Sequence, residues 1–109
     1  MIYGYELIID LKGCSNINKK SLGSFVKELC KLIEIKRWGK TQIVYFGKDR
    51  FKGYSLFQFI TTSSICGHFT ADEVYLNIFS CKEFGVKHTV SFIKKWFSTN
   101  NCKYKFIRR

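Results

Sequence analysis

The chain opens on a period of two. Between Tyr3 and Leu11, Leu7, Ile9 and Leu11 share one side of an alternating pattern, which predicts a strand. After Lys12-Gly13-Cys14 the period lengthens. Leu22, Phe25, Val26, Leu29, Leu32 and Ile33 recur at three- and four-residue spacing, so a helix with one apolar stripe is predicted from Lys19 to Ile33, with Asn18 as its N-cap. Lys40 to Phe46, bracketed by Gly39 and Gly47, reads as a short strand with Ile43 and Tyr45 opposite Gln42, Val44 and Phe46. Tyr54 to Thr62 is the clearest strand, with Leu56, Gln58 and Ile60 opposite Phe57, Phe59 and Thr61. A polar loop is expected from Ser63 to Glu73 and a strand from Val74 to Phe79. A helix follows from Val86 to Phe97, with Val86, Val90, Ile93 and Phe97 at core spacing, and Lys103 to Ile107 closes the sheet.

This order, β-α-β-β-β-α-β, predicts an α+β fold in which two helices cover one face of a mainly antiparallel sheet. A length of 109 residues fits one domain, residues 1–109, and 11 Phe with no Pro point to a compact core. The second sheet face also carries Tyr and Phe and needs a cover. With no third helix available, the simplest cover is another copy of the chain, so a homo-oligomer is expected.

Charge changes the picture. Nineteen Lys and Arg against eight Asp and Glu give +11, enough to attract anions, although such a surface can also serve solubility alone. Lys48, Arg50 and Lys52, near Gly47 and Gly53, form a basic loop suited to a phosphate or to water. The five cysteines are odd in number and contain no CxxC pair, so free thiols are expected, with neither a disulfide framework nor a metal site. No apolar run approaches a membrane span and the N-terminus lacks a signal-peptide pattern, which places the expected protein in the cytoplasm, away from membranes.

Two stretches carry a family resemblance. The first is Leu7-Ile8-Ile9-Asp10-Leu11-Lys12-Gly13-Cys14. The second runs through Gly53-Tyr54-Ser55, the strand to Thr62, Ser63-Ser64-Ile65-Cys66-Gly67-His68, and Asn77-Ile78-Phe79-Ser80-Cys81. Together they resemble the small prokaryotic S-adenosylmethionine decarboxylases, whose precursors cut themselves at a Glu-Ser bond and convert the Ser to a pyruvoyl group. The resemblance implies Ser63 as pyruvoyl precursor, Ser55 and His68 as processing residues and Cys81 as proton donor. The chain departs from the pattern at the bond itself: Thr62 stands where the family has Glu. Phe69-Thr70-Ala71, with Asp72-Glu73 beyond, replaces the Trp-Pro-Glu after the family's His.

The resemblance implies S-adenosylmethionine, or a nucleotide derivative of it, as ligand. With the cleavage bond altered, the expected function is cofactor-free lysis of S-adenosylmethionine or its AMP conjugate, as in small phage and CRISPR-associated lyases, giving methylthioadenosine or its AMP form plus homoserine lactone. The expected site takes Ser63, His68, Glu73 and Cys81 for the chemistry and Ser55, Phe57, Thr62, Ser64, Lys48, Arg50 and Lys52 for binding. Glu73 would hold the ligand's cationic groups, while Ser63, Ser64 and His68 hold its carboxylate, between subunits as in similar families. The alternatives are a pyruvoyl-dependent decarboxylase, with the group made from Ser63, and a non-enzymatic nucleotide binder. The chain has no recognisable nucleic-acid motif, so nucleic acid is not expected as a partner.

Overall fold

Six segments, one more than the pattern predicts, pair into a single sheet. The computed structural model describes residues 1–109. It contains strands β1 (Tyr5–Lys12), β2 (Arg37–Phe46), β3 (Gly53–Ile60), β4 (Ser63–Phe69), β5 (Glu73–Ser80) and β6 (Cys102–Arg108), and helices α1 (Lys19–Leu32) and α2 (Val86–Trp96). A 3-10 turn, Asp49–Phe51, links β2 to β3. The strands lie in the order β2-β3-β4-β5-β1-β6, and every neighbouring pair is antiparallel. The expected α+β class stands.

The stretch from Ser63 to Glu73, expected as a polar loop, instead holds β4. Its inward positions are Ser63, Ile65, Gly67 and Phe69, and only Ile65 and Phe69 present apolar bulk. Gly67 hides the alternation because the sheet has no room for a side chain there: a Cβ would stand 2.8 Å from the Tyr75 carbonyl oxygen and 3.0 Å from a Leu76 methyl.

One face of the sheet is the core. Leu7, Ile9 and Leu11 of β1, Leu56 and Ile60 of β3, Ile65 and Phe69 of β4 and Val74, Leu76 and Ile78 of β5 form a single buried cluster with α1 and α2. Asn18 caps α1 as expected, its side-chain oxygen accepting from the Ser21 amide at 2.8 Å. Helix α1 buries Leu22, Phe25, Val26 and Leu29, whereas Leu32, read as part of the stripe, is exposed. Phe25 meets Phe92, Trp96 and Phe97 at ring separations of 5.8, 5.8 and 5.0 Å, which joins the two helices through aromatic contacts.

Gln58 is a polar residue in the core row of β3, with no exposed surface. The β2–β3 ladder breaks register between Trp38 and Gln42, and the Gln58 amide donates to the carbonyls of Trp38 (3.3 Å) and Gly39 (3.2 Å) within that break. Its oxygen accepts from the Thr41 hydroxyl. The side chain thus replaces ladder hydrogen bonds lost at the bulge. Gln58→Leu leaves those groups facing an apolar side chain, and an unfolding titration is expected to show a loss of about 2 to 3 kcal/mol.

The five thiols occupy different environments. Burial is the main force raising Cys14 and Cys30, each to about 11, while Cys81 is exposed. At pH 8, about one in a thousand thiols with such a raised value is ionised, and the thiolate is the reacting form. Brief treatment of the folded protein with iodoacetamide is therefore expected to label Cys81 first and to leave Cys14 and Cys30 unlabelled until denaturant is added. Peptide mass mapping reads the order.

Candidate active site

The residues that precede or follow the core row in each strand point to the uncovered face. Strand register places Ser55, His68, Tyr75 and Asp10 in one cross-strand row, Phe57, Cys66, Asn77 and Ile8 in the next, and Phe59, Ser64, Phe79 and Glu6 in a third. Rows two residues apart lie about 7 Å from one another along the strands, so the first and third are roughly 13 Å apart. Trp38, Val44, Phe46 and Phe59 give this face exposed aromatic and aliphatic area.

The first row is the most highly connected. Ser55 Oγ lies 3.0 Å from His68 Nδ1, and His68 Nε2 lies 2.7 Å from the Phe51 carbonyl oxygen. A carbonyl can only accept, so Nε2 carries the proton and donates. In the neutral ring Nδ1 then accepts the Ser55 hydroxyl proton, which leaves the Ser55 oxygen as an electron-rich acceptor facing solvent. Both imidazole nitrogens are engaged, so His68 has no free N–H with which to hold a ligand carboxylate, contrary to the role expected of it. Its place is to orient Ser55 and to tether the Asp49–Phe51 turn.

Three carboxylates are spread along the same face, with Glu6 and Glu73 six register positions apart, roughly 20 Å. Glu73 accepts from the Tyr75 phenol at 2.8 Å, a hydrogen bond that pushes the Tyr75 pKa upward. Glu6 accepts from Asn77 Nδ2 at 2.6 Å and meets Arg109 at 3.4 Å. Burial first, and Glu6 second, raise the Cys66 thiol between them. Glu6, Asp10 and Glu73 thus share this face with Lys103 and Lys105 of β6, which pair with Asp10 and Ile8. Carboxylates beside ring faces are suited to a ligand carrying positive charge.

The structure groups the expected residues in three places. Ser55, Phe57, Ser64 and His68 lie on the open face. Arg50 and Lys52 line a cleft of about 530 Å³ at the sheet end together with Tyr45, Asp72 and Glu73, and Lys48 is not among its walls. Glu73, expected as a buried carboxylate serving one ligand together with Ser63 and Ser64, is half-buried at the start of β5, at the end of the sheet away from Ser63. Thr62, Ser63 and Cys81 gather at the end opposite Glu73: the Cys81 amide donates to the Thr62 carbonyl at 3.1 Å, and the Thr62 and Ser80 hydroxyls are 2.8 Å apart.

This separation decides how one chain relates to a pyruvoyl group. Ser63 points to the helix side, while His68, five residues on, points to the open face roughly 16 Å away along β4. Making the group requires a proton shuttle at the Ser63 hydroxyl and the carbonyl before it. Neither His68 nor Ser55 of the same chain reaches them, so the residues of one chain do not fit the group.

Tyr75, Asn77, Glu6 and Cys66 escaped the sequence reading. Their signal is parity: once β4 is a strand paired with β5, the neighbours of Ser55 and His68 follow from register.

The family model for S-adenosylmethionine decarboxylase matches residues 5–109. The chain belongs to the S-adenosylmethionine decarboxylase family. Among solved structures, the crystal structure of the adenosylmethionine decarboxylase from Aquifex aeolicus VF5 superposes with a TM-score of 0.79 at 11% identity, over 99% of this chain and 91% of that one. At that identity the likeness is one of fold: the family's antiparallel sheet with two helices. No curated protein sequence matches the chain. In this chain Ser55 and His68 are in contact, and Thr62 precedes Ser63. No helix is long and apolar enough to cross a membrane.

Proposed function

We propose that this chain is a cofactor-free lyase acting on S-adenosylmethionine or its AMP conjugate. The observation that carries the reading is the open sheet face, which holds both Glu73, fixed by Tyr75, and Ser55, fixed by His68, on a surface bordered by exposed aromatic rings.

In the reaction the methionine carboxylate attacks its own γ-carbon. A carbon–oxygen bond forms, the carbon–sulfur bond breaks, and its electron pair passes to sulfur, which becomes a neutral thioether. The products are methylthioadenosine, or its AMP form, and homoserine lactone, with no net proton transfer. Two opposite charges disappear on the way to the transition state. A poorly solvating surface therefore favours the transition state over the bound substrate, and strong cationic clamps on the attacking carboxylate would oppose it.

The residues fit this demand. Glu73, fixed by Tyr75, and the Ser55 oxygen, fixed by His68, take the ammonium, whose charge does not change. Phe57 and its neighbours supply an apolar bed. Arg50 and Lys52, in the cleft that includes Glu73, meet the phosphodiester of a conjugate. Ser63, Ser64 and Cys81 carry no step in this reading. A second copy laid on the exposed Trp38, Val44, Phe46 and Phe59 would exclude water from the bed, so the active form is a homodimer with sites between subunits. Sedimentation should give about twice the mass of the chain.

The decarboxylase reading has one specific observation in its favour, the contact of Ser55 with His68, the two residues that the resemblance implies for processing. It would require a second subunit to bring that pair to Ser63. Two measurements separate the readings. The lyase is expected to remain a single 12.8 kDa chain by intact mass and to keep its turnover after phenylhydrazine, which traps reactive carbonyls. Fragments from a break at Thr62–Ser63, with turnover abolished by phenylhydrazine, would replace the lyase by the decarboxylase.

A further inference from the structure

The positive charge is unevenly placed. Residues 86–109 contain seven Lys and Arg and no Asp or Glu, leaving twelve against eight for the rest of the chain. This segment is α2, the following turn and β6, at the sheet edge farthest from β2. Between them runs a cleft of about 650 Å³, separate from the open-face site, whose walls include Lys87, Lys94, Lys95, Asn100 and Tyr104 and no carboxylate.

Four features point to its occupant. Lys87 and Lys94 stand seven residues apart on α2 with Ser91 between them, a line of roughly 10 Å along the helix, longer than one phosphate can bridge. Lys87 occupies the first turn, where the helix dipole disfavours a cation and where no acid offsets it, so local helix stability does not account for it. None of the three lysines has a carboxylate partner, since the ion pairs of the chain involve Lys31, Arg108 and Arg109. Tyr104 is 49% exposed at the same cleft and offers a ring. Spaced cations with an accessible aromatic ring match an extended chain of phosphates and unstacked bases.

We infer that the α2–β6 cleft binds single-stranded nucleic acid, with Lys87, Lys94 and Lys95 on phosphates and Tyr104 stacked on a base. This surface is independent of the lyase reading, because it shares no residue with the open face. Three phosphate contacts imply a salt slope near −2 for a single strand, so raising KCl fourfold weakens binding about 20-fold.

The test is fluorescence anisotropy with a fluorescein-labelled single-stranded 20-mer at 50 and 200 mM KCl. Saturable binding is expected at 50 mM, weakened about 20-fold at 200 mM, at least about tenfold by K94E/K95E, and about fivefold or more by Tyr104→Ala. Unchanged circular dichroism and melting show that these surface variants fold. The inference is overturned by absence of saturable binding at 50 mM KCl, by wild-type affinity in K94E/K95E, or by equal binding of duplex with no effect of Tyr104→Ala. Tighter binding to phosphatidylserine vesicles than to the oligonucleotide would overturn it in favour of a lipid surface.

Discussion

Replacing His68 with alanine is expected to lower kcat for S-adenosylmethionine cleavage about a hundredfold while changing KM only a fewfold. The ring makes two hydrogen bonds, from the Ser55 hydroxyl and to the Phe51 carbonyl, and both are lost. Ser55 then has no partner to fix its hydroxyl, and the Asp49–Phe51 turn loses its tether beside the cleft that holds Arg50 and Glu73. Misplacing the ammonium tilts the carboxylate out of line with the carbon–sulfur bond, which costs rate more than binding. His68→Gln, whose amide can accept from Ser55 and donate to Phe51, is expected to recover part of the activity. Steady-state kinetics of the two variants, with unchanged melting as the control for folding, reads the effect; an unaltered kcat in His68→Ala would remove the first row from the site.

The largest expected loss of stability comes from Phe25→Ala. Phe25 is fully buried and contacts aromatic rings on α2, so truncation both removes transferred surface and opens a cavity that three rigid rings cannot close. A loss of about 3 to 5 kcal/mol is expected, visible as a fall in Tm of roughly 12 to 20 °C for a domain of this size. Leu32→Ala, on the same helix but 41% exposed, should stay within about 1 kcal/mol of the parent. Thermal melts of both variants separate a core held by the inter-helix aromatic cluster from one in which every apolar position of α1 counts equally.

Local pattern was enough for most of the fold. The Asn18 cap, both helices and five strands are carried by periodicity that stays within one segment. Strand β4 was hidden because its inward positions include Ser63 and Gly67, and the reason for Gly67, the close approach of the Tyr75 carbonyl, is a tertiary fact. The candidate site was legible in part. Ser55 and His68 are partners across β3 and β4, but that follows only once β4 is a strand. Reading Ser63 to Glu73 as a loop placed Ser63, His68 and Glu73 close together. A strand sends the first two to opposite faces and puts Glu73 at the sheet end distant from Ser63. The grouping of Glu6, Tyr75 and Asn77 depends on register across β4, β5 and β1, which no short window of sequence contains.

The central claim is that the open face cleaves the sulfonium without a cofactor, and product identity tests it directly. Purified protein is incubated with S-adenosylmethionine and, separately, with its AMP conjugate, and the products are identified by mass spectrometry. The account predicts methylthioadenosine, or its AMP form, with homoserine lactone. Decarboxylated S-adenosylmethionine with release of carbon dioxide, or recovery of both substrates unchanged, would contradict it.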